Sequence, residues 1–290
     1  MPPVQDQAVC VRVWDWSETS QTVTLFARGL GLVRAMAKGS KRPPSARSGG
    51  AGSAFSGGVE TLSRGECWIF VKPSVELATL ARWDLVETFP ALRKDLGAHN
   101  VGLFMSEVVL RFAADRDPHP DLYDAMVAAL RAVGPASTRD AVLARFLWSA
   151  LESAGYRPVL DRLPGVAEGA GGEVGLPNAS AFDFDPNAGA LVGVRNPGDG
   201  ERRDAGRPVA WAIRRETILT LAALAGGADA GAVDGRSARR GARFLAHHAR
   251  HVLGSQFRML DLVFSDPPAR GAGGTSPEGG GEDRRGVGGG

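Results

Sequence analysis

The stretch ARGLGLVRAMAKGSKRPPSAR, residues 27–47, decides how the N-terminal part of this chain is read. It carries six cations, Arg28, Arg34, Lys38, Lys41, Arg42 and Arg47, and no carboxylate. Its first half alternates as a strand does, with Leu32, Arg34 and Met36 on one face and Val33, Ala35 and Ala37 on the other. Gly39 and the pair Pro43-Pro44 then take the chain out of the sheet as an exposed, stiff, basic loop. Cations displayed by a small sheet beside such a loop suit a nucleic-acid backbone. A solvated surface strand followed by a lysine-rich linker would have the same composition.

Around this stretch the first 82 residues read as strands. Val9, Val11 and Val13 alternate with Cys10 and Arg12, residues 22–26 are β-branched and aromatic, and residues 29–31 supply a turn. Residues 48–58, rich in Gly, Ser and Ala, read as flexible. Strands follow at 59–62 and 67–71 with a turn at Arg64-Gly65, and a last one at 77–85. About five strands without a helical stretch predict a small barrel or sandwich. From Pro90 the period changes. Leu92, Leu96, Leu103, Val108, Val109 and Phe112 recur at helical spacing, broken around residues 97–102. Further helices are predicted over 121–133 and over 138–154, the latter with Thr138 as N-cap and Gly155 as its stop. Residues 164–208 are a Gly-, Pro- and acid-rich lobe with an ordered island at 181–194. Helices resume at 209–224 and 236–264, the last broken near Gly254. The tail 265–290 has ten glycines in 26 residues and is expected to be disordered. The fold class is therefore α+β: a barrel over residues 1–82, then a mostly helical part over 83–264.

Charge is unevenly placed. Residues 1–82 hold 10 Lys/Arg against 6 Asp/Glu, and 207–264 hold 9 against 4, while 83–163 and 164–206 are net acidic. Two basic regions suit a partner that touches two parts of the fold. The two cysteines, Cys10 and Cys67, both in predicted strands, make neither a disulfide framework nor a zinc site, and a reduced, cytosolic setting is the simplest expectation. No apolar run reaches a membrane span, and residues 1–9 lack the order of a signal peptide.

Three other features invite a function. His247 and His251 stand at i and i+4 beside His248, a spacing that binds metal when a third ligand arrives; without a neighbouring acid, a packing or DNA-facing role is expected. Trp14 and Trp16 flank Asp15 and are expected to cap the barrel or line its contact with the helices, base stacking being the alternative. Arg214, Arg215, Arg236, Arg239, Arg240 and Arg243 either extend a DNA track or form solvated helix faces. Enzymatic chemistry has little support. There is no G-x-x-x-x-G-K-[ST] loop and no G-x-S-x-G elbow, so no catalytic residue is expected.

Residues 11–47 resemble the opening of RecO, the bacterial recombination mediator. The resemblance rests on Asp15 and Ser17-Glu18-Thr19-Ser20, Thr24-Leu25-Phe26, Gly31-Leu32-Val33-Arg34, and Ala37-Lys38-Gly39 with its basic continuation. Weaker pieces follow in order: Glu87-Thr88-Phe89-Pro90 with Leu92-Arg93, LESAGYRPVL at 151–160, Phe184-Asp185-Pro186 with Gly189, and the helix at 245–253. The resemblance implies an OB-fold barrel on a helical domain. It also implies binding of single- and double-stranded DNA, strand annealing, and cooperation with RecR and single-stranded-DNA-binding protein in loading RecA near the nucleoid. Many RecO proteins carry a zinc site of two C-x-x-C pairs. Here those places, near residues 163–166 and 192–196, offer neither Cys nor His, so no metal and no other cofactor is expected. The lobe is then expected to rest on Phe182, Phe184, Leu191 and Val192. Two rival classes are a barrel that binds only protein and, with Asp183 and Asp185 as a short acidic pair, a metal-dependent nuclease.

Overall fold

The structure, a computed structural model, describes residues 2–41, 54–56, 58–71, 75–164, 176–195 and 210–265. Arg42, Arg47, most of the expected flexible loop and all of the tail beyond Ser265 lie outside the described residues.

The N-terminal part is a closed five-stranded barrel of the OB type. Strands β1 (Val4–Asp15), β2 (Gln21–Ala27) and β3 (Gly31–Ala37) form an antiparallel meander. A two-residue β4 (Phe55–Ser56) lies parallel to β6, while β5 (Ser63–Phe70) and β6 (Ala78–Glu87) pair antiparallel. β5 also pairs with β1, and β3 meets β6 in parallel at Ala35↔Ala78 and Met36↔Thr79, which closes the ring. The period of two divides each strand between two cores. Cys10, Val23, Leu25, Val33, Ala35, Ala37, Ile69 and Leu80 fill the barrel around Trp83. Their outward neighbours Val9, Val11, Phe26 and Leu32 belong to the core shared with the helices.

The expected turn at Arg64-Gly65 is not there. β5 runs straight through it, and the chain turns earlier, where Leu62 takes a φ of 60°. Gly65 has a packing role: a Cβ on it would lie 2.6 Å from the ring of Trp83 and 2.7 Å from the Asp84 carbonyl. β6 continues past residue 82 to Glu87 before the helices begin.

Helices α1 (Pro90–Lys94) and α2 (Leu96–Phe112) are separated at Asp95, whose carboxylate caps α2 by accepting from the Ala98 N–H at 2.7 Å. α2 is unbroken through residues 97–102, contrary to the sequence expectation, because Gly102 lets Leu62 and Leu92 pack close against its backbone. α3 (Pro120–Ala132) and α4 (Arg139–Ser153) follow as expected, although the Thr138 hydroxyl bonds to the Pro135 carbonyl instead of capping α4. Gly155, at φ 78°, ends that helix region.

The lobe is a three-stranded sheet, in the order β8-β7-β9, of β7 (Ala181–Asp185), β8 (Ala190–Arg195) and β9 (Trp211–Arg214). The helix expected from 209 therefore starts only at α5 (Arg215–Ala225), since Trp211 to Arg214 pair with β7. α6 (Gly235–Leu253) and α7 (Leu260–Phe264) close the chain, with Gly254 at φ 59° between them. Phe182, Phe184 and Leu191 are fully buried as expected, and Phe184 meets Phe244 edge-on at 4.9 Å and His248 at 5.3 Å. Val192 is 45% exposed because it follows Leu191 onto the opposite face of β8. No helix among the described residues is long and apolar enough to cross a membrane.

Several contacts join barrel and helices. Phe26 and Tyr123 meet at 5.9 Å, and Arg28 forms a two-pronged pair with Asp124 at 2.9 and 2.8 Å. Glu87 accepts from Arg131 and lies 3.6 Å from Arg64. Gly31 sits at φ 70°, and a Cβ there would come within 2.0 Å of the Asp117 carbonyl, so only glycine lets residues 115–117 approach β3.

Truncating the lobe's central aromatic, Phe184→Ala, is expected to lower stability by about 3–5 kcal/mol. Val192→Ala, one strand position from the buried Leu191, stays within about 0.5 kcal/mol. Urea unfolding followed by circular dichroism measures both.

Candidate nucleic-acid interface

The helices cover only part of the outer face of β1, β2 and β3. Register brings two rows together on the uncovered part: Arg12, Thr24 and Arg34, then Trp14, Thr22 and Met36. Thr24 is buried in the first row while both arginines are exposed. A register shift between Cys10 and Arg12 gives β1 an extra residue, so Val11 faces the helices and Arg12 is turned to this face. The Arg12 guanidinium lies 5.0 Å from the centre of the Trp14 ring.

Beyond these rows, the β1–β2 turn and the segment after β3 are laced together. The Ser20 hydroxyl accepts from the Gly39 N–H at 3.2 Å, and the Thr19 carbonyl accepts from the Lys41 N–H at 3.2 Å. Between them lies an open cleft of about 350 Å³ lined by Trp16, Ser17, Ser20, Met36, Lys38 and Gly39. Trp14 is 49% exposed and Trp16 70% exposed. They neither cap the barrel nor line the helical contact, contrary to expectation, because the strand carries them past the end of the covered face.

The cations expected to form the site have unequal circumstances. Arg34 lies 3.1 Å from Glu76 and 3.7 Å from Asp115. Lys41 is 2.5 Å from Asp15, and that ammonium holds the Asp15 carboxyl below the usual range. Arg28 is committed to Asp124 on α3, away from the two rows. Lys38 is exposed, and among the described residues neither it nor Arg12 pairs with a carboxylate. Arg12 was not among the residues expected at the site. The signal for it was present, since a cation two positions before an exposed Trp on one strand shares its face. A second aromatic–cation pair, Trp68 with Arg82 at 4.7 Å, lies on β5 and β6.

Three cations of the second basic region are engaged away from this face: Arg215 donates to the Pro177 carbonyl, Arg239 lies 3.7 Å from Asp140, and Arg240 pairs with Glu216. Among the histidines, His248 is buried and its Nε2–H donates to the Tyr156 carbonyl at 3.1 Å. His251 Nε2 lies 3.1 Å from Asn187 Oδ1. It is His248 and His251, not His247 and His251, that line one cleft. The described residues hold no group of three or more His, Cys, Asp or Glu side chains able to share a metal. Burial pushes both the Cys10 and Cys67 thiols up to about 12, far from a reactive thiolate.

Comparison with known proteins agrees with this architecture. The family described as Recombination protein O N terminal matches residues 1–89, and Recombination protein O C terminal matches 93–261. The chain belongs to the RecO family. It is 32% identical to the DNA repair protein RecO of Anaeromyxobacter dehalogenans (strain 2CP-C) over 272 residues, covering 91% of this chain and 98% of that one. With the protein of the same name from Salinibacter ruber it shares 32% over 160 residues, 55% of this chain and 58% of that one. The Geobacter metallireducens protein shares 29% over 205 residues, 67% and 80% of the two chains. Both halves of the RecO pattern thus coincide with the barrel and the helical part with its lobe.

Burial lowers the His248 pKa below its ordinary 6.5. A depressed histidine stabilises the fold fully above the unfolded value, and that contribution is lost as pH falls through it toward the folded value. Urea midpoints are therefore expected to drop as pH goes from about 7.5 to about 5.5, and His248→Gln, which cannot take up a proton, is expected to show a flatter dependence.

Proposed function

We propose that this protein is a non-enzymatic DNA-handling mediator that binds single and double strands, promotes annealing, and works in the cytoplasm with RecR and single-stranded-DNA-binding protein to help load RecA. The observation that carries the reading is the uncovered face of β1–β3, where Arg12 and Lys38, neither paired with a carboxylate among the described residues, stand beside the exposed rings of Trp14 and Trp16. Cations tracking a backbone and aromatics stacking on bases are the two components of single-strand recognition by OB barrels.

Arg12 and Lys38 make the first phosphate contacts in this reading. Arg34 and Lys41 join by exchanging a carboxylate for a phosphate, which is cheap because exposed ion pairs contribute only about 0–1 kcal/mol. Arg42 and Arg47 remain candidates from the sequence alone, outside the described residues, while Arg28 stays in its clamp with Asp124. The engagement of Arg28, Arg34 and Lys41 by carboxylates also favours the rival reading of a protein-binding barrel, so the test must separate the two.

Fluorescence anisotropy of labelled single-stranded DNA, titrated at several salt concentrations with chelator present, does so. Salt-steep binding is expected, each phosphate contact contributing about −0.7 to the log–log slope. The Arg12→Ala/Lys38→Ala double variant should flatten the slope by roughly 1.4. Trp14→Ala and Trp16→Ala should each weaken binding by about 1 kcal/mol or more with the slope unchanged. Absence of binding at low salt would leave the protein-adaptor reading in front.

A further inference from the structure

A second cleft, of about 260 Å³, opens between the barrel and helix α2. Leu103 and Leu110, two turns apart on α2, and Met259, just before α7, supply half-buried apolar surface. Val11 and Val13 of β1 also line the cleft. Arg12 and Arg258 also line the cleft, both are exposed, and among the described residues neither pairs with a carboxylate. The one acid in the wall, Glu107, is consumed internally: it accepts from the Arg258 and Met259 N–H groups at 2.9 and 3.0 Å and from Arg111 at 3.2 Å.

Three observations point to an occupant. β1 pairs with β5 only as far as Cys10, so among the described residues 12–15 have a ladder partner on one side alone, β2. The backbone beside the cleft therefore has an edge able to exchange hydrogen bonds with a polar ring. Ser106, in the α2 wall, buries a hydroxyl with no hydrogen-bond partner among the described residues. Finally, Arg12 is shared: it lines this cleft and sits over Trp14 on the stacking face. A chain of phosphates crossing Trp14 would reach the cleft without a break in charge.

We infer that the cleft receives one unstacked nucleobase of a single strand, its flanking phosphates held by Arg12 and Arg258. This rests on the DNA-binding reading above and adds a specific base position to it. The size is sufficient, because an aliphatic cavity of ~150 Å³ already accepts a benzene ring. The cationic lining and the internally neutralised Glu107 favour a phosphate-bearing ligand over an extended peptide. The consequence is mechanistic: a strand with one base held out of its stack is locally kinked, and its neighbours are presented for pairing.

The test uses a single-stranded oligonucleotide carrying 2-aminopurine, whose fluorescence rises when the base leaves the stack, with anisotropy of a labelled copy read in parallel. The full chain is expected to raise the emission about twofold or more on binding. Thr61→Trp, which fills the cleft from its rim, is expected to abolish that rise while weakening total binding by about threefold to tenfold. Arg258→Ala, on a different element, is expected to reduce the rise, which guards against misfolding of the first variant; circular dichroism checks both. Binding without a rise, or a rise undiminished in both variants, would overturn the base subsite, leave the DNA-binding reading standing and return the cleft to a peptide. No anisotropy change at low salt would overturn both together.

Discussion

Each outward position on β1, β2 and β3 must be covered by a helix or left to water, and the boundary between the two falls within β3, between Leu32 and Arg34. On one side Val9, Val11, Phe26 and Leu32 are buried against helices, with the Asp117 backbone drawn tight against Gly31. On the other side the same strands expose Arg12, Trp14 and Arg34, with Met36 half-buried beside them in register. The helical part therefore does two things at once. It buries the apolar half of the barrel's exterior, and by ending where it does it delimits the surface on which a ligand can lie.

Much of this could be read from the residues. The alternation through 32–37 put Val33, Ala35 and Ala37 on one face, and the structure makes that face the barrel interior. A small barrel or sandwich and the helical period after Pro90 were equally visible, while the OB type came from the resemblance to RecO. The failures have a common physical cause: glycine and tryptophan were judged locally, whereas tertiary contacts decide them. Gly65 and Gly102 looked like breaks, yet each is the small residue a neighbour requires, Trp83 in one case and Leu62 with Leu92 in the other. Trp211 looked like the start of a helix because nothing in its own segment reveals that β7 offers it a ladder.

The candidate site was legible as a region and less so as residues. A count of cations cannot tell which have a carboxylate waiting, and Glu76, Asp115 and Asp124 approach Arg34 and Arg28 from distant parts of the chain. Nor does a count single out Arg12, which is signalled instead by its spacing from Trp14 on one strand. The cleft beside α2 is harder still, because its walls come from β1, the approach to β5, α2 and the segment before α7.

The lobe carries a different consequence. Its sheet is fastened to α6 through Phe184, Trp211, Phe244 and His248, and the chain's only cysteines lie in the barrel. A thiolate-held zinc lobe draws its cohesion from metal supply and proton concentration. An aromatic cluster draws it from the aversion of apolar surface for water, which weakens on cooling. The described part of this lobe is thereby made sensitive to cold and to the acidity that charges one buried imidazole.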